Sequence, residues 1–250
     1  MSGASLGYRI FRYAELDSTN DQAKRLLTGA ISENFIVVAD KQNAGRGRSA
    51  RPWQSPKGNL ACSFVVSPDV SQARLSDLSF VTAVALQEAI ADCLQSGPEP
   101  KIKWPNDILV SGAKISGILL EVESGSMAGR PDRPNVVVGV GVNVGCTPQG
   151  LDRATTSLKE LGANQGAKEF MNNLSARFFA WYAVWQEKGF GPIRNAWLDH
   201  AVGLGEEIKI RSGNDEQTGV FEGLNEQGAL ILRSGDGTAQ TITAGDVFLM

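Results

Sequence analysis

Residues 102–122 read Ile102-Lys103-Trp104-Pro105-Asn106-Asp107-Ile108-Leu109-Val110-Ser111-Gly112-Ala113-Lys114-Ile115-Ser116-Gly117-Ile118-Leu119-Leu120-Glu121-Val122. Apolar runs at Ile102 to Trp104, Ile108 to Val110 and Ile115 to Val122 are separated by Pro105-Asn106-Asp107 and by Ser111-Gly112. Both separators are turn-forming, so the stretch predicts a β-meander. Downstream, Ser124 to Pro134 is rich in Gly, Ser and Pro and predicts an exposed loop, followed by a strand over Asn135 to Val144. Upstream, Leu75, Leu78, Val81, Ala85 and Ile90 recur near the helical period, which predicts a helix from Leu75 to Leu94 stopped by Gly97-Pro98.

Further from the meander the same alternation continues. Phe35 to Ala39 and Asn59 to Val66 are compact apolar strands joined by a Gly- and Arg-rich loop. Ser18-Thr19-Asn20-Asp21 offers an N-cap and an early acidic residue for a helix that ends at Gly29. Lys168 to Lys188 carries Phe170, Leu174, Phe178, Trp181, Tyr182 and Trp185 at helical spacing, a face suited to core packing. After a short helix at Ile193 to His200 the texture changes to short strands at Glu207 to Arg211, Thr218 to Leu224, Ala229 to Arg233 and Ala239 to Thr243, which predict a small β-barrel. The expected division is 1–202 and 203–250.

Composition excludes several classes. The chain has 250 residues, 42% hydrophobic and 20% charged, enough to bury a sizeable core, and its net charge of -3 gives no bulk pull toward a polyanion. Cys62, Cys93 and Cys146 lie far apart, so neither a disulfide framework nor a zinc site is expected and a reducing cytoplasm is the natural setting. His200 is the single histidine, which removes His-rich metal sites and leaves little material for a Ser-His-Asp triad. No signal peptide and no apolar run of membrane-spanning length is present, so no membrane association is expected.

Four stretches could carry chemistry. Gln42-Asn43-Ala44-Gly45-Arg46-Gly47-Arg48-Ser49-Ala50-Arg51-Pro52-Trp53 joins backbone freedom to three guanidinium groups, as a phosphate cradle requires, although a basic RNA-contacting loop has the same composition. Lys103-Trp104-Pro105-Asn106-Asp107 sets a lysine beside a tight turn, where a fixed ammonium could stabilise charge on phosphate oxygens; an edge lysine on a hairpin is the alternative. Lys114 to Glu121 has a glycine inside a strand, which marks either a close approach or a bulge. Gly139-Val140-Gly141-Val142-Asn143-Val144 lacks the third glycine of a dinucleotide fingerprint and reads as a strand that admits a ligand closely.

Taken in order, Ser18-Thr19-Asn20, GRGRSARPW with Ser55-Pro56 and Gly58-Asn59, KWPND, KISGILLE and GVGVN closely resemble the catalytic domain of biotin protein ligases, and the terminal segment with its GALIL strand resembles that family's small C-terminal domain. The resemblance covers nearly the whole chain. It implies an α+β fold, with a mixed, largely antiparallel central sheet flanked by helices as in class II synthetases, plus the small β-barrel.

It also implies an enzyme that makes biotinyl-adenylate from biotin and ATP, with Mg²⁺ accompanying the nucleotide, and transfers biotin to a lysine of a biotin carboxyl carrier protein. Ser18, Thr19, Asn20 and Gln42 would take the ureido head, and Arg46, Gly47 and Arg48 the carboxylate and phosphate end. Lys103, with Arg48, would be the principal catalytic cation. Trp53 would cover the acyl tail, Lys114, Gly117 and Asn143 would shape the biotin and adenine sites, and Arg51 and Asn106 would join the ATP contacts.

Relatives that double as repressors carry an N-terminal helix-turn-helix domain, and here Ser18 arrives almost at once, so no DNA partner is expected. The family's loop often has Arg-Gly where this chain has Ser49-Ala50. Metal ligands are not legible in the sequence, and a homodimer is left open. Lipoate ligases and octanoyl transferases share the architecture; the pairing of GRGR with KWPND favours biotin.

Overall fold

The computed structural model describes residues 7–29, 31–95, 97–123, 133–213 and 215–249. Its centre is a seven-stranded sheet made of β1 (Tyr8–Tyr13), β2 (Asn34–Ala39), β3 (Leu60–Val66), β4 (Pro100–Lys103), β5 (Asp107–Val110), β6 (Ala113–Glu123) and β7 (Asn135–Val142), in the order β1-β2-β3-β7-β6-β5-β4. Only β1 and β2 pair in parallel; the other five ladders are antiparallel. The meander is therefore present as β4-β5-β6. Strand β1, YRIFRY, is an addition to the expected elements, because two arginines interrupt its apolar residues. Most of the expected loop, residues 124–132, lies outside the described residues.

Alternation of side chains across the strands builds two unequal faces. Ile36, Val38, Leu60, Cys62, Phe64, Val138 and Val140 face the main core with the helices α2 (Asp77–Leu94), α3 (Ala167–Lys188) and α4 (Phe190–Asp199). On α3, Phe170, Leu174, Phe178, Tyr182 and Trp185 are buried as their spacing predicts, whereas Trp181 of the same expected face is only partly buried against the core. The opposite face carries a small cluster of Phe35, Val37, Val65 and Val137 under Ala23 of helix α1 (Thr19–Leu27). Toward the middle of that second face the strands present Ser63, Gly139, Gly141 and Gly117, which cannot fill an apolar layer. A cavity forms there.

The C-terminal strands β8 (Glu207–Ser212), β9 (Asp215–Leu224), β10 (Leu230–Arg233), β11 (Ala239–Ile242) and β12 (Asp246–Leu249) form a five-stranded antiparallel sheet in the order β11-β10-β9-β8-β12. The expected small barrel is thus open, with no ladder joining β11 to β12, and β12 is an extra strand. Its core is continuous with the main one: Ile208, Phe221, Leu230 and Leu232 belong to the main cluster, and buried Trp197 meets Phe80 and Phe221 edge-on. His200 is held by Glu99 at 2.9 Å and Gln87 at 3.2 Å, a structural placement in keeping with its bland sequence context.

Candidate active site

The cavity on the second face has a volume of about 750 Å³. Its floor is set by ladder register. Gly141 of β7 pairs with Gly117 of β6, which pairs with Asp107 of β5, and Gly139 pairs with Ser63 of β3. A methyl group on Gly139 would collide with the Asn20 amide, and one on Gly141 with the Trp53 indole. The glycines of GVGVN thus admit two of the protein's own side chains against the strand.

The meander delivers its lysine through a bulge. Between Ile108 and Leu109 the β5-β6 register slips, so Ile115 turns into the core while Lys114 emerges on the cavity side. The ideal Cβ position of Gly117 lies 3.2 Å from Lys114 Nζ and 3.3 Å from Trp53 Cζ3. The bulge foreseen as an alternative for this segment is present, and it is the Lys114 and Trp53 side chains, not another backbone, that stand close to Gly117.

One end of the cavity is neutral and hydrogen-bonded. Thr19 N–H donates to Gln42 Oε1 at 2.8 Å, Gln42 Nε2 donates to Ser55 Oγ at 3.0 Å, and Asn20 Nδ2 donates to Glu121 Oε2 at 2.6 Å. Ser18 acts as the N-cap of α1, its Oγ accepting from Asp21 N at 3.4 Å. The helix thereby presents Thr19 and Asn20 from its first turn.

The cations adjoin it, Arg46 lying 3.9 Å from the Glu121 carboxylate that accepts from Asn20. Arg46 makes a two-pronged pair with Asp21, at 2.6 and 2.7 Å, which holds the Asp21 carboxyl below its ordinary range and raises the guanidinium. Arg48 donates to Asn106 Oδ1 at 3.3 Å, Arg51 pairs with Asp246, and Lys114 pairs with Asp107. Lys114 is only 9% exposed, and burial lowers its pKa despite the opposing Asp107 carboxylate. Ser49 and Ala50 both sit in the left-handed region, with φ of 53° and 56°. A glycine at position 50 would adopt that backbone freely, whereas alanine costs about 1 kcal/mol there.

A model of the Biotin/lipoate A/B protein ligase family matches residues 13–143, and one of the Biotin protein ligase C terminal domain matches residues 203–250. A biotin--[acetyl-CoA-carboxylase] ligase of Paracoccus denitrificans is 42% identical over 243 residues, covering 94% of this chain and 98% of that protein. The chain belongs to the biotin protein ligase family. The ligase fold is also similar to the solved Aquifex aeolicus biotin protein ligase in complex with biotin and ATP, at 28% identity and a TM-score of 0.81 over 96% of this chain and 97% of that one. The Leishmania major biotin protein ligase in complex with biotinyl-5-AMP aligns at 25% identity and a TM-score of 0.66, over 94% and 99% of the two chains.

Within this ligase, the cavity gathers most of the residues singled out in the sequence. Ser18, Thr19, Asn20 and Gln42 line the neutral end. Arg46, Gly47, Arg48, Arg51 and Trp53 come from the loop, and Asn106, Lys114 and Gly117 from the meander. Two expected residues adjoin this lining. Lys103 is outside the lining set and its ammonium sits 5.6 Å over the Phe248 ring. On the edge strand β4, Lys103 pairs with Asp107 and so shares the cavity face of the sheet, and its charge is felt by Lys114 and Asp246, both of which line the cavity. Asn143 lines a smaller adjoining cavity of about 290 Å³ with Trp53, Lys114 and Arg153, and its buried Oδ1 has no hydrogen-bond partner.

Sequence reasoning missed Asp107, Arg153 and Asp246, all of which line the main cavity. Asp107 stands inside KWPND and was legible as the meander's own acid. Arg153 and Asp246 are isolated charges in loop or strand-end positions, brought in by tertiary folding alone.

Proposed function

We propose that this cavity binds biotin with its ureido ring at the neutral end, against Thr19, Asn20 and Gln42, and with its carboxylate among Arg46, Arg48 and Lys114, while ATP lies on the Trp53 and Asn143 side. The chain acts as a ligase that forms biotinyl-5'-adenylate and passes biotin to a lysine of a biotin carboxyl carrier domain. The observation that carries this reading is the juxtaposition, in one cleft, of a neutral amide-and-hydroxyl end and a cluster of fixed cations.

In the first step a biotin carboxylate oxygen attacks the α-phosphorus and pyrophosphate leaves. Two anions must be brought together, and Lys114 with Arg48 offsets their repulsion and the charge that grows on the nonbridging oxygens. In the second step the carrier lysine amine attacks the acyl carbon and AMP leaves. No enzyme nucleophile is needed, which fits the residues present: Cys62 is fully buried with its thiol pushed up to about 12, and His200 is tied to Glu99.

Mg²⁺ would travel with the ATP phosphates. Among the described residues no group of three or more His, Cys, Asp or Glu could cage an ion. The cavity's carboxylates, Asp107 and Asp246, are paired with Lys114 and Arg51, so the ion would be held chiefly by the phosphates.

Lipoate is the competing substrate within the wider family. Its dithiolane ring offers neither N–H nor C=O, so it would leave the amides of Asn20 and Gln42 without ligand partners in a desolvated pocket, at about 1–3 kcal/mol for each group left unpaired. Calorimetry in the presence of ATP should show biotin bound at least about a hundredfold more tightly than lipoate. Equal affinities, or a preference for lipoate, would overturn the substrate assignment.

A further inference from the structure

Behind the neutral end lies a buried hydrogen-bond chain whose protons can be counted. The Glu121 carboxylate, held by Lys24 at 3.0 Å, only accepts, so Asn20 must turn its NH₂ toward it. Asn20 Oδ1 then faces Ser63 Oγ at 2.6 Å. At the opposite end the Thr19 backbone N–H, a pure donor, fixes Gln42 with Oε1 toward Thr19. Two carbonyl oxygens of fixed orientation are thus joined by two hydroxyls, through Asn20 to Ser63 at 2.6 Å, Ser63 to Thr19 at 2.8 Å and Thr19 to Gln42 at 3.1 Å. Three oxygen-oxygen contacts share two protons, and one contact must go without.

We infer that Glu121, acting through Asn20, makes the head-group pocket short of one proton and so selects a ring that brings N–H donors, as a cyclic urea does. Glu121 does not line the cavity. It is a positioning residue for Asn20, and because it also lies 3.9 Å from Arg46, its effect on the ring is read from the ratio of two ring chemistries and not from the rate alone. The inference rests on the biotin reading and deepens it by naming the feature of biotin that is read.

Glu121→Gln keeps the shape and supplies a donor. Asn20 can then flip, present its NH₂ to Ser63 and give the chain three protons for three contacts, while Glu123 at 2.8 Å still holds Lys24. Ser63→Ala is the contrasting change, because it leaves Asn20 Oδ1 a bare acceptor. The measurement is the KM for biotin and for its cyclic carbamate isostere, in which oxygen replaces one ureido N–H, in the ATP–pyrophosphate exchange assay.

In the unmodified protein the isostere should have a KM at least about tenfold above that of biotin. Glu121→Gln should bring the two KM values together by raising that of biotin, whereas Ser63→Ala should retain the preference. An active Glu121→Gln protein with the original ratio, or both variants losing the preference alike, overturns the inference alone. Absence of any biotin-dependent exchange in the unmodified protein would take the ligase reading down with it.

Discussion

Replacing Lys114 by Met should slow biotin-dependent pyrophosphate exchange by about a hundredfold or more, the range seen when one preorganised donor to a developing charge is lost. Lys114 is the buried cation of the cavity, aimed by a bulge and held by Asp107 beside Trp53. A fixed ammonium in a water-poor site needs no reorganisation as charge moves onto the α-phosphate, so its removal acts on kcat. Lys103→Met, which removes a second ammonium on the same face, opposite Asp107 and over the Phe248 ring, should also slow the exchange. Unchanged exchange in Lys114→Met would remove that lysine from the chemistry.

The same lysine gives the reaction a pH signature. Burial lowers the Lys114 pKa below 10.5, so on raising the pH the ammonium loses its proton earlier than a free lysine would. The alkaline limb of the exchange rate should fall below that range, and Lys114→Arg should carry it to higher pH with whatever activity survives. A limb unmoved by Lys114→Arg would assign it to another group.

Gly139→Ala should raise the KM for biotin by about a hundredfold while leaving the KM for ATP nearly unchanged. The added methyl would collide with the Asn20 amide, and Asn20 cannot yield cheaply because Glu121 and Ser63 hold it from two sides. Displacing it breaks two buried hydrogen bonds, each costing about 1–3 kcal/mol when a partner is left unpaired. Alanine is otherwise a better strand residue than glycine, so the fold should survive, and circular dichroism would check that. A variant with ordinary biotin KM would mean that Asn20 has another place to go.

Much of this was legible before any coordinates. The β4-β5-β6 meander, the N-cap at Ser18 and the aromatic face of α3 follow from turn residues, capping chemistry and periodicity, which are local. So do the cationic loop and the glycines of β7. What was not legible depends on register and sheet order. Lys103 stands in a distinctive motif and the edge strand β4 sets it opposite Asp107, while a one-residue bulge that no local pattern announces brings a second lysine, Lys114, to the same face. Ser63 is a single polar residue in an apolar strand and Glu121 one of four polar or charged residues along β6, and only the contacts that place them opposite Gly139 and beside Asn20 give them a role. Asp246 comes from the terminal strand, 195 residues from the Arg51 it pairs with.

The central claim is that the neutral end of one cleft and the cations adjoining it hold biotin and ATP together, so that the vitamin is activated and handed to a carrier lysine. Intact-mass analysis of a biotin carboxyl carrier domain, incubated with the protein, biotin and Mg-ATP, tests it directly. One added biotinyl group, dependent on ATP and abolished when the acceptor lysine is replaced, is the result expected. A carrier of unchanged mass, or one that gains a lipoyl group in preference when both acids are supplied, would contradict the account.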